Sequence, residues 1–407
     1  TVTIGPALAS TAGSNSPVCF GGTINLTASG GVSFVWSGPG GFSSTAQNPI
    51  RTGAALSMAG NYLVTVTNSS GCTSSTSTVV SVVGSATASI SGNNAFCAGS
   101  TISLTASGGT SYNWVGPNGF TSTNASISLT PATTAMAGTY TVTVSSGGGC
   151  SATAGKTITV NAAPTVSVSG SSSLCTGGTI TLTATGGSTY TWLGPDGYTG
   201  SGSTITRSAA TVAMGGIYTV TVTNTTGCTA TATRNVTVNP KPVAIAGSNS
   251  PICAGSAINL TASGGVSYSW SGPNLFSSTL QNPVRNSATT SMAGTYTVTV
   301  TGAGGCTATA STSVTVNSPP SLATVSGSSA LCAGGTITLI ASGGTTYVWS
   351  GPNGFTGTGS SVSISGATTA ASGIYYVTVS NSTGCSTVKS RTVTVNANPV
   401  ATAGSNS

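Results

Sequence analysis

Histidine is absent from the 407 residues, and Asp196 is the one acidic side chain. Only 2% of residues are charged, against about 25% in ordinary soluble domains. The chain is built chiefly of Gly, Ser, Thr, Ala, Val and Asn. General acid–base catalysis needs His, Asp, Glu, Lys or Tyr placed against a substrate. A Ser-His-Asp arrangement cannot be assembled without histidine. A hard-cation site needs carboxylates, several for each stiffened linker, and a lone aspartate cannot supply them. The expectation is a protein that is not an enzyme, with no catalytic residue, no metal site and no cofactor.

Basic residues are few as well. The net charge of +7 comes from eight scattered Lys and Arg side chains. Nucleic-acid binding needs a dense basic face, which this spacing does not make. Arg51, Arg207 and Arg285 share one equivalent position, and Lys156, Arg234 and Arg391 share another, just before the last strand of their repeats. Both sets read as solubilising charges on exposed strand ends. A surface so near neutrality repels its own copies weakly. Its polar cover must be hydroxyls and amides, which suits a fibre or a sheath. There is also no apolar run of membrane-spanning length and no recognisable signal peptide, so membrane insertion is not expected.

What the chain does have is a repeat, and repeats take precedence over local signals. First cysteines fall at Cys19, Cys97, Cys175, Cys253 and Cys332, a period of 78 with one extra residue in the fourth linker, "NSPPSLATVSG". Each is followed after 17 residues by a tryptophan and after 53 by a second cysteine. Residues 1–19 align without gaps to residues 235–253, and the chain stops at "NPVATAGSNS", just before another cysteine is due. The expectation is a fragment of a longer repetitive protein.

Within a unit the hydrophobic period is two. "TITLTATGG", "TYTWLGP", "YTVTVTN" and "RNVTVNP" alternate apolar residues with Thr, Ser or Asn. That is the signature of half-buried antiparallel strands. Thr and Val favour strands, and turn signals such as "SGG", "GPNG" and "NTTG" punctuate them. No helical pattern is visible. Short strands at this spacing imply a two-sheet sandwich. Trp36, Trp114, Trp192, Trp270 and Trp349 read as the residues that fill so small a core. Tyr62, Tyr140, Tyr218, Tyr296 and Tyr375 sit where a tyrosine corner would be. Met58, Met136, Met214 and Met292 precede the tyrosines by four residues and read as plugs at that end; the fifth repeat has Ala371.

The run "C-x-G-x-x-I-x-L-T-A-S-G-G … Y-x-W-S-G-P-N-G-F … A-G-x-Y-x-V-x-V-x-N-x-x-G-C" resembles the Ig-like or PKD-like repeats of giant secreted proteins of Bacteroidota. The resemblance covers the whole chain. It implies an all-β fold: an elongated rod of five tandem Ig-like antiparallel β-sandwich domains. The repeats are placed at 6–83, 84–161, 162–239, 240–317 and 318–396, with the end of a preceding repeat at 1–5 and the start of a sixth at 397–407. It also implies a bacterial cell-surface or extracellular location, gliding-motility or adhesin type roles, and type IX secretion. This chain departs from the family pattern in its scarcity of acidic residues, and it shows nothing like a C-terminal sorting domain.

Even cysteine usage in an extracellular repeat implies disulfides. Zinc is the rival reading, and the lack of histidine and of any Cys-x-x-Cys weighs against it. Counting favours pairing within a repeat, as Cys19 with Cys72. Strand order favours another solution. The first cysteine precedes the second strand, and the second follows the tyrosine strand, at opposite ends of one sandwich. A strand of six or seven residues spans about 20 Å, whereas bridged Cα atoms lie within about 7 Å. In a tandem stack the first cysteine of one unit faces the second of the next. The expected bonds are Cys19–Cys150, Cys97–Cys228, Cys175–Cys306 and Cys253–Cys385, with Cys72 and Cys332 pairing with further repeats of the same long chain. Pairing within the repeat stays open as the alternative.

Two functional readings follow. The first is a structural extracellular fibre, the stalk of a surface adhesin or a filament whose chains associate laterally, stiffened by disulfides at the junctions. The second is a glycan- or surface-binding module using the GPNGF-type turns, with Phe42, Phe120, Tyr198, Phe276 and Phe355 as the gripping rings. A cap over the end of the core competes as the role of those rings. Asp196 reads as an ordinary turn residue. Sequons begin at Asn25, Asn68, Asn124, Asn224, Asn235, Asn259 and Asn381, as expected by chance in such a composition.

Overall fold

The computed structural model describes residues 7–404. The segment 1–5, assigned above to a preceding repeat, lies outside them. Repeat 3 illustrates a unit of eight strands: β1 (Ser167–Gly170), β2 (Ser173–Cys175), β3 (Ile180–Thr185), β4 (Thr189–Leu193), β5 (Thr199–Ser201), β6 (Thr204–Arg207), β7 (Gly216–Thr223) and β8 (Thr229–Asn239). One sheet has the order β1-β3-β6 and the other β2-β8-β7-β4-β5. The same strands recur in every unit, with β8 interrupted near its end in repeats 1 and 4. There the Ser81 and Thr315 amides donate to the Ser16 and Ser250 hydroxyls, both at 2.8 Å. Among the described residues the helical turns are single 3₁₀ turns. The protein is thus a tandem array of Ig-like β-sandwiches.

Alternation places the core. On β3, Ile180, Leu182 and Ala184 point inward, and on β7, Tyr218, Val220 and Val222 do the same; all six are buried. Trp192 completes the cluster at 0% exposure, and its Nε1 donates to the Gly202 carbonyl at 3.0 Å. Burying the indole therefore leaves no donor unpaired, the condition under which a large side chain stabilises a small core. The equivalent tryptophans in the other repeats are equally covered. Each makes the same kind of bond to a loop carbonyl, of Gln47, Asn124, Gln281 and Gly359.

The structure corrects the strand assignment in three places. Most pairings are antiparallel, but β2 is a separate short strand, not part of a turn, and it runs parallel to the end of β8: Ser173↔Thr237, Leu174↔Val238, Cys175↔Asn239. The first cysteine thus ends a strand beside the last residue of its own repeat. The short β5, for which the sequence carries no strand signal, pairs with β4 and closes that edge. Finally, β8 begins immediately after the second cysteine.

This last point overturns the reading of Lys156, Arg234 and Arg391 as charges on exposed ends. They lie inside β8, in the inward register of Val236 and its equivalents, and are half-buried. An inward arginine must find acceptors. Arg234 donates to the Gly170 carbonyl at 2.9 Å, and Arg391 to the Ser328 carbonyl at 3.1 Å. Each guanidinium ties β8 to the bend between β1 and β2. In repeats 1 and 4, Thr78 and Thr312 reach Ser14 and Ser248 at the same place, at 3.3 and 3.2 Å.

Candidate functional site

Two features recur in each sandwich: an aromatic turn at one end and, at the other, a cysteine turn where neighbouring repeats meet. The aromatic turn follows β4. Its third residue adopts left-handed backbone, with φ of 57° at Asn118, 62° at Asp196, 55° at Asn274 and 57° at Asn353. Asn and Asp tolerate that conformation best among residues with a side chain, which accounts for Asp196. Gly194, which opens the turn, lies over the tyrosine ring, and a Cβ there would stand 2.6 Å from Tyr218. The tyrosine hydroxyl donates back to the carbonyl four residues earlier, of Met58, Met136, Met214, Met292 or Ala371, at 2.9–3.1 Å. The methionines themselves pack against the core from its rim.

The rings of Phe42, Phe120, Tyr198, Phe276 and Phe355 are half-buried. Each meets the corner tyrosine, with centroids 5.5–6.1 Å apart. Arg51, Arg207 and Arg285 cover three of them, with guanidinium carbons 4.6–4.8 Å from the ring centroids. The same guanidinium donates to the tyrosine oxygen and to the proline carbonyl of the turn. These three arginines are therefore clamps, not the solubilising charges expected, because a planar donor fork can stack on a ring and bond two acceptors at once. Asp196 lies 3.9 Å from Arg207, at the limit of an ion pair, and is exposed. Repeats 2 and 5 have Leu129 and Ile364 at the arginine position. In those repeats burial raises the Tyr140 and Tyr375 hydroxyls above the ordinary tyrosine pKa.

The cysteine turn joins β7 to β8. In repeat 3 the Asn224 carboxamide oxygen accepts the Thr226 and Cys228 amides at 3.1 and 2.9 Å. Its Nδ2 donates to the Ala162 carbonyl at 3.0 Å, in the linker leaving repeat 2. One side chain thus shapes the turn and holds the linker by which the chain enters its repeat. Asn381 does the same, reaching the Ser318 carbonyl at 2.8 Å. Ser146 and Gly302 replace the asparagine in repeats 2 and 4. At the latter junction Gly304, with φ 85°, rests against Asn239, whose carboxamide carbon would stand 2.4 Å from an added Cβ. A cleft of about 560 Å³ opens there beside Pro240, Lys241 and Pro242.

Four disulfides cross these junctions. They join Cys19 to Cys150, Cys97 to Cys228, Cys175 to Cys306 and Cys253 to Cys385, with Cα atoms 5.5–5.7 Å apart. Every bond links β2 of one repeat to the β7–β8 turn of the next. Cys150, Cys228, Cys306 and Cys385 are buried, at no more than 4% exposure, although none belongs to a sandwich core. Cys72 and Cys332, which have no partner among the described residues, are exposed. The asparagine signal is present in the sequence as "N-x-x-G-C", but nothing local shows that its amide reaches the linker more than sixty residues earlier.

The fold and its staples define the chain as a disulfide-linked series of Ig-like domains. Residues 319–399 match the family model described as Ig-like domain CHU_C associated. No curated protein matches. Among solved structures, the N-terminal eight Ig domains of Down Syndrome Cell Adhesion Molecule are similar at 15% identity and a TM-score of 0.32, over 96% of this chain and 60% of that one. Sidekick-1 immunoglobulin domains 1–5 align at 16% identity and TM-score 0.29, over 95% and 99% of the two chains. Three N-terminal domains of the bacteriophage RB49 Highly Immunogenic Outer Capsid protein align at 20% and 0.29, over 58% and 100%. The chain spans 60% of the length of the first of these structures.

Proposed function

We propose that this chain is a segment of a structural extracellular fibre, the repetitive stalk of a cell-surface adhesin or filament. The observation that carries the reading is the covalent staple at each of the four junctions. Tandem domains joined only by a linker are expected to hinge, and a staple beside the linker ties the two repeats a second time and restricts that freedom. Disulfides persist in oxidising compartments, which supports an extracellular setting. The family match of the last repeat, with the motifs shared by all five, supports a bacterial surface protein of the gliding-motility or adhesin type, exported by type IX secretion. Cys72 and Cys332 pair, on this reading, with further repeats of the same long chain. The near-neutral hydroxyl faces serve lateral association into filaments.

The glycan-gripping alternative would need a free ring face at the aromatic turns. In repeats 1, 3 and 4 an arginine covers that face, which weighs against it. Electron microscopy of the native material tests the fibre. A straight beaded rod or a helical multi-chain lattice is expected. A flexible string of beads, bending freely at each linker, would overturn the reading.

A further inference from the structure

The disulfides do more than fix angles, because of which chain segments they connect. Starting from strand β1 of repeat 1, the chain reaches Cys19 and crosses to Cys150. It then follows β8 of repeat 2 (Ser151–Asn161) through the linker to β1 and β2 of repeat 3, ending at Cys175. From Cys175 it crosses to Cys306 and continues down β8 of repeat 4 to Cys332. A second path runs from Cys72 to Cys97, crosses to Cys228, runs on to Cys253 and crosses to Cys385. All ten cysteines lie on one path or the other. Neither path passes through the body of any sandwich, the stretch from β3 to β7 that holds the tryptophan.

The two paths are also joined side by side. In each repeat β2 belongs to one and β8 to the other, and the two strands pair in parallel. The side-chain ties from β8 to the β1–β2 bend, Arg234 to Gly170 and Arg391 to Ser328, link them again. Between staples the path is mostly strand already, at about 3.3 Å per residue against a limit of about 3.6 Å, so it holds little slack.

We infer that this architecture forms two interlaced covalent rails that carry tension along the array, while the sandwich bodies bridge the rails and are spared it. The inference deepens the fibre reading and rests on it for its setting. Its physical content is that pulling cannot lengthen the array by unfolding repeats. The bodies keep their outer faces folded under force, and any surface they present stays intact.

Single-molecule pulling of the oxidised full chain tests it, with handles at the N-terminus and at Leu322, an exposed residue of the linker between repeats 4 and 5. The loaded path is then residues 1–19, 150–175 and 306–322, about a fifth of the contour from 1 to 322. The expected trace has no repeat-sized lengthening before rupture. After reduction the same molecule should show four such events, each of about 250 Å. The double variant Cys175→Ser, Cys306→Ser should regain lengthening events under oxidising conditions while its repeats still fold. Repeat-sized events in oxidised molecules whose Cys19–Cys150 and Cys175–Cys306 peptides are verified by mass mapping would overturn the rails. The measurement reads isolated molecules, so rails without fibres under the microscope would refute only the fibre reading.

Discussion

In repeat 3, Trp192 and Cys228 are both fully covered, but by different neighbours. The tryptophan is enclosed by side chains of its own sandwich. The cysteine is enclosed by the repeat before it, and the equivalent Cys72, with no such neighbour among the described residues, is exposed. The interior is built the same way five times, down to the hydrogen bond of each indole. The junctions are not: Asn224 and Asn381 hold the linker, whereas Ser146 and Gly302 stand at the equivalent positions of the other two. The disulfide is common to all four. The difference teaches that each domain relies on shape-matched burial, while coupling between domains relies on a covalent bond that tolerates varied surroundings.

Breaking the interior should have the largest effect. Trp192→Ala removes a fully buried indole and should cost about 3–5 kcal/mol of stability. Urea unfolding followed by hydrogen exchange should localise that loss to repeat 3; a loss spread evenly over all repeats would contradict the separation of bodies. Breaking a junction comes next. Cys97→Ser with Cys228→Ser should cost about 2–4 kcal/mol and leave the cores of repeats 2 and 3 folded. Small-angle scattering should show a new bend at that junction, and an unchanged profile would mean the linker alone holds the angle.

The smallest effect separates the aromatic turns. Burial raises the Tyr140 and Tyr375 pKa values above 10.0 in the folded state. The native protein therefore keeps these protons after the unfolded chain has released them. Their contribution is complete below the unfolded value and is lost as pH rises through the folded one. Melting temperature should fall above about pH 10, and the Tyr140→Phe, Tyr375→Phe variant should flatten that decline. An equal slope in the variant would show that other groups cause it. Through the neutral range little should change, since the chain has no histidine and one carboxylate.

Sequence alone determined the repeat, its period, the alternating strands and hence the sandwich, because alternation of Val, Ile and Leu with Thr and Ser is a one-dimensional record of two faces. It also determined which side chains are missing, histidine above all, since a composition needs no structure to be counted. The turn chemistry was legible too: "GPNG" and "N-x-x-G-C" name residues suited to left-handed backbone and to an amide-shaped turn. The tertiary structure decided what depends on distance between remote segments. Strand β2 has no sequence signature because three residues carry no periodicity, and it exists only through its parallel pairing with β8. Arg51 and Arg234 look alike in sequence, as lone charges near strand ends, yet one stacks on an aromatic ring and the other ties two strands. The cysteines had two arithmetically acceptable pairings, within a repeat or across a junction. Only the folded positions of β2 and of the β7–β8 turn select between them, because a disulfide forms where two Cα atoms come within a few ångströms, whatever their separation along the chain.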